Sequence, residues 1–272
     1  MQYVLFTDNL NAYKVPALLA EAKKIGFDGL DLTLRPGGHV EPENAEAGLA
    51  EAKRAADESG MTIPMATTAV TDADSPHAEK VFAAAAHYGA RRLKLGYWHY
   101  QGFGTLAKQI DEAKARLERI VKLAERWNVL PCIHVHSGGV LANGGAMAYL
   151  LLKDFKPEQA GAYVDPMHMA VEGGLSGWEM GLDLLAPWVA LCAVKNFRWR
   201  ETGRDDKGQM RYTVEYVSVA DGQAPIPEFM ARLKQIGFDG VVSVHAEYKG
   251  IGAPQLLERA AADLKHIKSV AR

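Results

Sequence analysis

The sequence predicts an α/β protein with a single domain, a closed (β/α)8 barrel of the TIM-barrel type, and three observations lead to this prediction. Short apolar runs typical of buried strands alternate along the chain with longer stretches that have helical spacing. Such strict alternation indicates parallel strands joined by crossover helices. Eight strand–helix units can be counted, which is the number that closes a barrel, and 272 residues is a usual length for one such domain.

The predicted elements are bounded by turn residues and by changes in apolar period. The strand-like runs are at 3–6, 29–34, 62–67, 92–95, 130–136, 162–164, 189–194 and 241–245. The helical stretches are at 12–25, 45–59, 77–88, 106–127, 145–152, 177–185, 226–236 and 254–270. The clearest helical face belongs to 106–127, where apolar residues recur three or four positions apart: Ile110, Ala113, Leu117, Ile120, Val121 and Leu123.

One helix-to-strand joint occurs twice. The sequence Ile-Gly-Phe-Asp-Gly stands at 25–29 and again at 236–240. In each copy the first glycine suits the left-handed cap that ends a helix, after which the chain turns into the next strand. Repeated joints fit a barrel built from similar units, although a doubly wound open sheet would use the same joint.

The domain organisation follows from the absence of a linker. No Pro- or Ser-rich segment divides the chain, so 1–272 is predicted to be one domain. The segment 197–224, after the seventh predicted strand, is rich in charge and has no clear period. A loop of this length inside a compact domain is usually functional or disordered. We expect it on the catalytic face, as a lid or as a contact between subunits of a homo-oligomer.

Composition restricts the partners of the chain. A net charge of -2 and a pI near 6.5 give no electrostatic reason to expect nucleic acid or an anionic membrane as partner. No basic leader precedes an apolar stretch, and no apolar run approaches the roughly 20 residues that span a bilayer, so a cytoplasmic protein is expected. Cys132 and Cys192 lie in apolar runs and are expected to be buried free thiols.

Ionisable side chains are concentrated where the predicted strands end. In a barrel the C-terminal ends of the strands converge on one site. Asp165 follows the sixth predicted strand, Lys195 ends the seventh, and Glu247 follows the eighth. Six of the nine histidines lie at or near such ends: His39, His99, His134, His136, His168 and His245. The sequence therefore predicts a site rich in imidazole, carboxylate and amine groups at this edge.

Each candidate also has a structural interpretation. His134 and His136 share one face of a strand, and either could be a hydrogen-bonded structural residue. Asp165 could form a turn before Pro166. Lys195 ends a strand that begins in the core, so its ammonium group must reach solvent or an anion.

The remaining candidates would surround the central group. His245 and Glu247 share a face, and both are expected to point inward. Arg35 could bind a substrate anion or pair with a carboxylate. His39 is a weaker candidate, and the aromatic residues after the fourth strand are candidates for the pocket wall: Tyr97, Trp98 and Tyr100.

Two kinds of chemistry suit this inventory. Neutral imidazoles and a carboxylate can hold a divalent transition metal with positions left open for substrate. The same groups could instead act as acids and bases without a metal. No Walker loop, dinucleotide-binding fingerprint, Gly-x-Ser-x-Gly elbow or Cys-x-x-Cys pair is present, so no nucleotide cofactor is expected.

The order and spacing of these motifs resemble the sugar phosphate isomerase/epimerase superfamily, whose members have xylose isomerase-like TIM barrels. The resemblance covers nearly the whole chain, through 26–31, 134–136, 165–172, 194–197 and 240–248. It implies one divalent metal, often manganese, held by Glu, Asp, His and Glu from strands five to eight. It also implies that the two glutamates move a proton at the carbon beside a carbonyl.

This chain departs from that pattern at three of the four ligand positions. The four positions correspond to His134, Asp165, Ala193 and His245, so that only the aspartate is retained. If manganese, zinc, iron or cobalt is bound, the expected ligands are Asp165, His245 and one of His134 or His136. A further interpretation is that Lys195 replaces the metal, since a cation beside a carbonyl oxygen stabilises an enediolate.

The other roles follow from the same comparison. Proton transfer is expected from Glu247, Lys195 or His168, of which His168 matches the substrate-contacting histidine of the superfamily's Asp-x-x-His motif. The residues predicted to bind substrate are Arg35, His39, Trp98, His136 and Glu172.

The resemblance implies an isomerase or epimerase of a small sugar, keto-sugar or polyol derivative. Two alternatives remain: a lyase or dehydratase acting on keto-sugars or inositol-like substrates, and a barrel that binds a sugar without catalysis. Repair of DNA, as in the related endonuclease barrels, would need about three zinc sites, and the missing ligands disfavour it.

Overall fold

The computed structural model describes residues 1–271 and has the predicted barrel. Eight parallel strands close on themselves in the order of the chain, and the last pairs with the first. These are β1 (Gln2–Phe6), β2 (Gly29–Leu34), β3 (Thr62–Thr68), β4 (Arg92–Lys94), β5 (Leu130–His134), β6 (Gly161–Val164), β7 (Val189–Val194) and β10 (Val241–Val244). The fold class and all eight predicted strands are confirmed.

Eight α-helices within residues 1–271 cover the barrel. They are α1 (Val15–Ile25), α2 (Ala45–Ser59), α3 (Ala78–Tyr88), α4 (Leu106–Trp127), α5 (Gly144–Leu152), α6 (Pro166–Leu185), α7 (Ile226–Gln235) and α8 (Ala253–Val270). The main difference from prediction is α6, which begins eleven residues before the predicted 177. Gly174 interrupts it with φ 58° and ψ -138°, and this kink separates the predicted half from a first half that the sequence period does not reveal. Within residues 1–271 no helix is long and apolar enough to cross a membrane.

The core has two parts because each barrel strand buries both faces. Outward-facing strand residues pack against the helices. Inward-facing residues fill the barrel in a second cluster: Val4, Met65, Cys132, Tyr163, Leu191, Ala193 and Val241. Cys132 and Cys192 are buried free thiols, as predicted.

The repeated joint has the expected cap. Gly26 has φ 100°, and its N–H donates to the carbonyls of Ala22 and Lys23. Gly29 then enters β2, where an added Cβ would lie 2.2 Å from the carbonyl oxygen of Thr62 on β3. The joint thus requires one glycine for its backbone conformation and another for the close approach of two strands.

We expect Gly29→Ala to lower the free energy of unfolding by about 1–3 kcal/mol, because the new methyl group must displace β3 backbone. The measurement is urea denaturation. Gly177→Ala is the matched control, since nothing lies within 4 Å of a Cβ at that position. Equal stabilities of the Gly29→Ala variant and wild type would contradict this close approach.

The prediction of an irregular loop at 197–224 is wrong over most of its length. The chain there forms an antiparallel hairpin of β8 (Asn196–Arg204) and β9 (Met210–Val217), outside the barrel. Most side chains of β8 are exposed and those of β9 are at most partly buried, so burial imposes no clear apolar alternation on the sequence.

The hairpin is anchored at its base by a buried amide. Asn196 donates to the carbonyls of Val219 and Ala224, and its side-chain oxygen accepts the N–H of Ala224. The role of the β8–β9 hairpin as a lid or as a subunit contact stays a prediction.

Candidate active site

The predicted polar residues at the ends of β5, β6, β7 and β10 meet inside the mouth of the barrel. We call this group the central cluster: His134, His136, Asp165, His168, Lys195, His245 and Glu247. All are buried except His136 and Glu247, which are partly exposed and form part of its rim. Adjacent parallel strands bring their last residues to one edge, which explains why side chains more than 100 positions apart lie together.

Asp165 has both a structural and a site-facing oxygen. It caps α6: Oδ1 accepts the N–H of Met167 at 2.9 Å and that of His168 at 3.2 Å, and Pro166 fills the first helical position. Its Oδ2 is buried and has no hydrogen-bond partner among the described residues. Asp165 can therefore have both of the roles considered for it: Oδ1 holds the turn before Pro166, and Oδ2 faces the site.

Three nitrogen atoms surround the free oxygen of Asp165. Nε2 of His134 lies 3.5 Å from Oδ2, Nε2 of His168 lies 3.7 Å away, and Nζ of Lys195 lies 3.7 Å away. These separations exceed hydrogen-bond length. The two imidazole nitrogens, like the oxygen, are buried and without a partner within residues 1–271. Such orphaned polar groups are costly unless a ligand or water satisfies them.

Lys195 and Glu247 form the charged pair of the cluster. Nζ lies 2.6 Å from Oε2 of Glu247, and the lysine is only 4% exposed. Burial by itself lowers the pKa of Lys195, but the carboxylates of Glu247 and Asp165 outweigh it and hold the pKa above its ordinary value. Burial likewise opposes ionisation of Glu247, yet Lys195 keeps its pKa below the ordinary value. The pair is therefore an ammonium and a carboxylate near pH 7.

The histidines of the cluster are neutral. Burial, and then the charge of Lys195, lower the pKa values of His134, His168 and His245 well below the ordinary value, and lower that of His136 as well.

The rings of His134 and His168 are oriented by hydrogen bonds at Nδ1, on the side away from Asp165. Nδ1 of His134 lies 2.9 Å from the hydroxyl of Tyr97, and Nδ1 of His168 lies 2.8 Å from that of Ser137. Both Nε2 atoms are thereby turned towards Asp165. His136 packs against His168 with 3.7 Å between ring centroids.

The donor set does not fit the divalent metal that the resemblance implies. Ala193 offers no ligand, and Nε2 of His245 lies 2.9 Å from the hydroxyl of Tyr163, which leaves only Nδ1 of that ring without a partner among the described residues. The ammonium group of Lys195 already faces Asp165, so that a second cation there would be repelled. Within residues 1–271 no three His, Cys, Asp or Glu side chains are arranged to hold a metal. The assignment of His134, Asp165 and His245 as metal ligands stays a prediction.

Of the predicted substrate-binding residues, His136 lies in the cluster and Glu172 supports its edge. Glu172 accepts the N–H of Gly138 at 2.7 Å and so holds the loop after β5. Arg35 pairs with Asp8 at 2.7 Å, the second of the two alternatives considered for it.

Two other predicted substrate-binding residues, His39 and Trp98, are bonded to groups outside the central cluster. Nδ1 of His39 lies 3.1 Å from the hydroxyl of Thr33, and the residue lines a groove beside α1 and α2. Trp98 donates its indole N–H to the carbonyl of Thr71, and its ring belongs to the core between barrel and helices. These contacts hold the two side chains in place, and the binding of substrate by His39 and Trp98 stays a prediction.

Three polar residues inside the barrel were not among the predicted site residues: Asp31, Lys94 and Tyr163. Asp31 is fully buried and accepts hydrogen bonds from Thr67, Ser243 and Tyr163. Lys94 is 3% exposed, and its Nζ lies 3.6 Å from the centroid of the Tyr97 ring. A charged residue inside an apolar strand run, as in Leu-Asp-Leu and Leu-Lys-Leu, is a signal that could have identified Asp31 and Lys94. Tyr163 has no such signal.

The chain belongs to the xylose isomerase-like TIM barrel family, whose model matches residues 19–270. Sequence comparison with curated proteins gives no match. Solved structures share the fold along the whole chain at low identity.

Three of these structures indicate the range of the fold. D-psicose 3-epimerase from Clostridium cellulolyticum H10 is 14% identical, with a TM-score of 0.72 and 100% of both chains covered. The 3-keto-D-glucoside 4-epimerase of E. coli is 13% identical, with a TM-score of 0.74 and 99% of each chain covered. The probable 3-DHS dehydratase of Bacillus anthracis is 16% identical, with a TM-score of 0.73 and coverage of 98% of this chain and 99% of that one.

Proposed function

We propose that the protein is an isomerase or epimerase of a small sugar, keto-sugar or polyol derivative, and that it removes a proton from the carbon next to a carbonyl. The observation that carries this proposal is the Lys195 ammonium group, buried beside the carboxylates of Glu247 and Asp165 at the mouth of the barrel. The similarity to two sugar epimerases supports the substrate class.

Lys195 and Glu247 would share the chemistry. Lys195, protonated, donates a hydrogen bond to the carbonyl oxygen and stabilises the negative charge that develops there. Glu247, ionised, accepts the proton from the adjacent carbon, which leaves an enediolate. Return of that proton to the neighbouring carbon gives an isomer, and delivery of a proton by a second group to the opposite face of the same carbon gives an epimer.

The orphaned atoms of the cluster suit the hydroxyl groups of a sugar. Nε2 of His134, Nε2 of His168 and Oδ2 of Asp165 form a short polar row. A hydroxyl can both donate and accept a hydrogen bond, so it satisfies a carboxylate and a neutral imidazole together. Lys195 supplies the positive charge that a divalent metal supplies in other members of the superfamily.

A second candidate is a lyase or dehydratase, favoured by the structural similarity to a probable dehydratase. The same enediolate loses a hydroxyl group as water when the hydroxyl lies on the next carbon. Proton abstraction by Glu247 is common to both reactions, so the fate of the enediolate separates them.

The proposal is tested by incubating the protein in D2O with a panel of ketoses, aldoses and 3-keto-glycosides. Products are followed by NMR and mass spectrometry. An isomerase or epimerase is expected to incorporate solvent deuterium at the carbon beside the carbonyl and to yield an isomer. Loss of water from the product would favour the dehydratase. Saturable binding of a sugar without any deuterium exchange would overturn both and favour a barrel that binds without catalysis.

A further inference from the structure

A chain of buried hydrogen bonds links the barrel interior to the central cluster. Asp31 on β2 accepts the hydroxyl of Thr67 at 2.8 Å on one oxygen. Its other oxygen accepts Ser243 at 2.9 Å and Tyr163 at 3.1 Å. The hydroxyl of Tyr163 also lies 2.9 Å from Nε2 of His245. Tyr163 thus stands between a buried carboxyl group and an imidazole of the cluster.

The chemistry of the groups gives the direction of these bonds. An ionised carboxylate can only accept, so the proton of Tyr163 points to Asp31. The phenol oxygen then accepts a hydrogen bond from the Nε2–H group of His245. Burial raises the pKa of Asp31 to about 6, although its three hydroxyl partners lower it, and the carboxyl group is therefore ionised at pH 7 and above.

His245 then has its second nitrogen free. A neutral imidazole carries one N–H, and Tyr163 directs it to Nε2. Nδ1 is buried, has no hydrogen-bond partner within the described residues, and lies 3.8 Å from Oε1 of Glu247. The ring is stacked on Phe6 with 4.1 Å between centroids, which fixes its plane. The lone pair of Nδ1 therefore faces the cluster on the Glu247 side.

We propose that Asp31, acting through Tyr163, is a positioning residue that fixes the proton of His245 on Nε2 and so presents Nδ1 as a second proton acceptor beside Glu247. This inference rests on the proposed function. Glu247 takes the proton from the substrate carbon beside the carbonyl, and the hydroxyl on that same carbon gives its proton to Nδ1. The imidazolium later returns its proton to the former carbonyl oxygen. Meanwhile the Nε2–H group of His245 remains hydrogen-bonded to Tyr163. The Asp31 carboxylate stabilises the positive charge of the imidazolium through this bond.

The tautomer can be measured without any substrate. The test uses the full-length protein labelled with 15N in its histidine rings, and the His245 signals are assigned by comparison with His245→Gln. The wild type is expected to carry its proton on Nε2 at pH 7.5. Tyr163→Phe removes the acceptor and is expected to give a mixture of tautomers. Tyr88→Phe, which removes a tyrosine bond to surface Glu46, is the matched control and should leave the His245 signals unchanged.

Activity measurements separate positioning from a general effect on folding. If an active substrate is found, Tyr163→Phe is expected to lower kcat about 10- to 100-fold with KM nearly unchanged. A wild-type proton on Nδ1, or an unaltered tautomer in Tyr163→Phe, would overturn the inference. Because the NMR result needs no substrate, failure of the proposed activity and failure of this inference are distinguishable. Asp31→Asn, which keeps an acceptor near Tyr163, is expected to perturb the tautomer less than Asp31→Leu.

Discussion

Replacement of Glu247 by glutamine is expected to lower kcat for proton exchange about 10²- to 10⁴-fold, the usual effect of removing a general base. The amide keeps the shape of the side chain but cannot accept a proton from carbon. Binding of the sugar should change little, so the loss of activity should appear in kcat rather than in KM. The measurement is steady-state deuterium exchange with the best substrate of the panel.

Lys195→Met should cause a similar loss of rate for a different reason. It removes the charge that stabilises the enediolate oxygen and leaves the carboxylates of Asp165 and Glu247 without their cation. Loss of one partner of a buried ion pair commonly costs about 3–5 kcal/mol of stability. The double variant Lys195→Met/Glu247→Gln lacks both charges and is expected to recover part of that stability, though not activity.

The control for both variants is Lys122→Met, because Lys122 pairs with Glu118 on the exposed face of α4. It removes an ammonium–carboxylate pair at 2.8 Å far from the barrel mouth. Both rate and stability should remain near those of wild type. Full exchange activity in Glu247→Gln would show that another group removes the carbon proton.

Lys94→Met is expected to be more stable than wild type at pH 7, by up to about 4 kcal/mol. Burial, and then the charge of Arg35, lower the pKa of Lys94 from 10.5 to about 7. Near pH 7 the unfolded chain therefore binds a proton that the folded chain only half retains. Methionine has a similar length and no charge, so it avoids this cost in the barrel interior.

The pH dependence of this effect has a definite sign. A group whose pKa falls on folding contributes stability above its unfolded pKa, and loses it as the pH falls towards the folded pKa. The advantage of Lys94→Met over wild type should therefore shrink as pH rises, by about 3 kcal/mol over roughly two and a half pH units above pH 7. Urea denaturation at several pH values measures it. A difference that stays constant with pH would show that Lys94 keeps its ordinary pKa.

The sequence predicts the barrel well because its signal is repeated. Eight apolar runs predict the strands of a barrel, and the repeated joints at Gly26 and Gly237 fit the same fold. The hairpin of β8 and β9 carries no such signal, since an exposed two-stranded ribbon can be polar on both faces. The first half of α6 is hidden for a related reason: the kink at Gly174 breaks the helical period.

The sequence predicts which residues form the site, but it does not predict the groups to which they are bonded. The ends of strands identify His134, Asp165, Lys195, His245 and Glu247, because the fold brings these ends together. Sequence spacing cannot show how each side chain bonds once it is there. The bond of His245 to Tyr163, and the ammonium group of Lys195 beside Asp165, depend on distances between strands.

We propose that Lys195, rather than a metal, supplies the positive charge for proton abstraction by Glu247. Solvent deuterium exchange into a carbonyl sugar distinguishes the two, with wild-type protein treated with a chelator and its metal content measured in the same sample. We expect full exchange in metal-free protein and its loss in Lys195→Met. Exchange that disappears with the chelator and returns with manganese, zinc, iron or cobalt would contradict it and make His134, Asp165 and His245 the residues to examine as ligands.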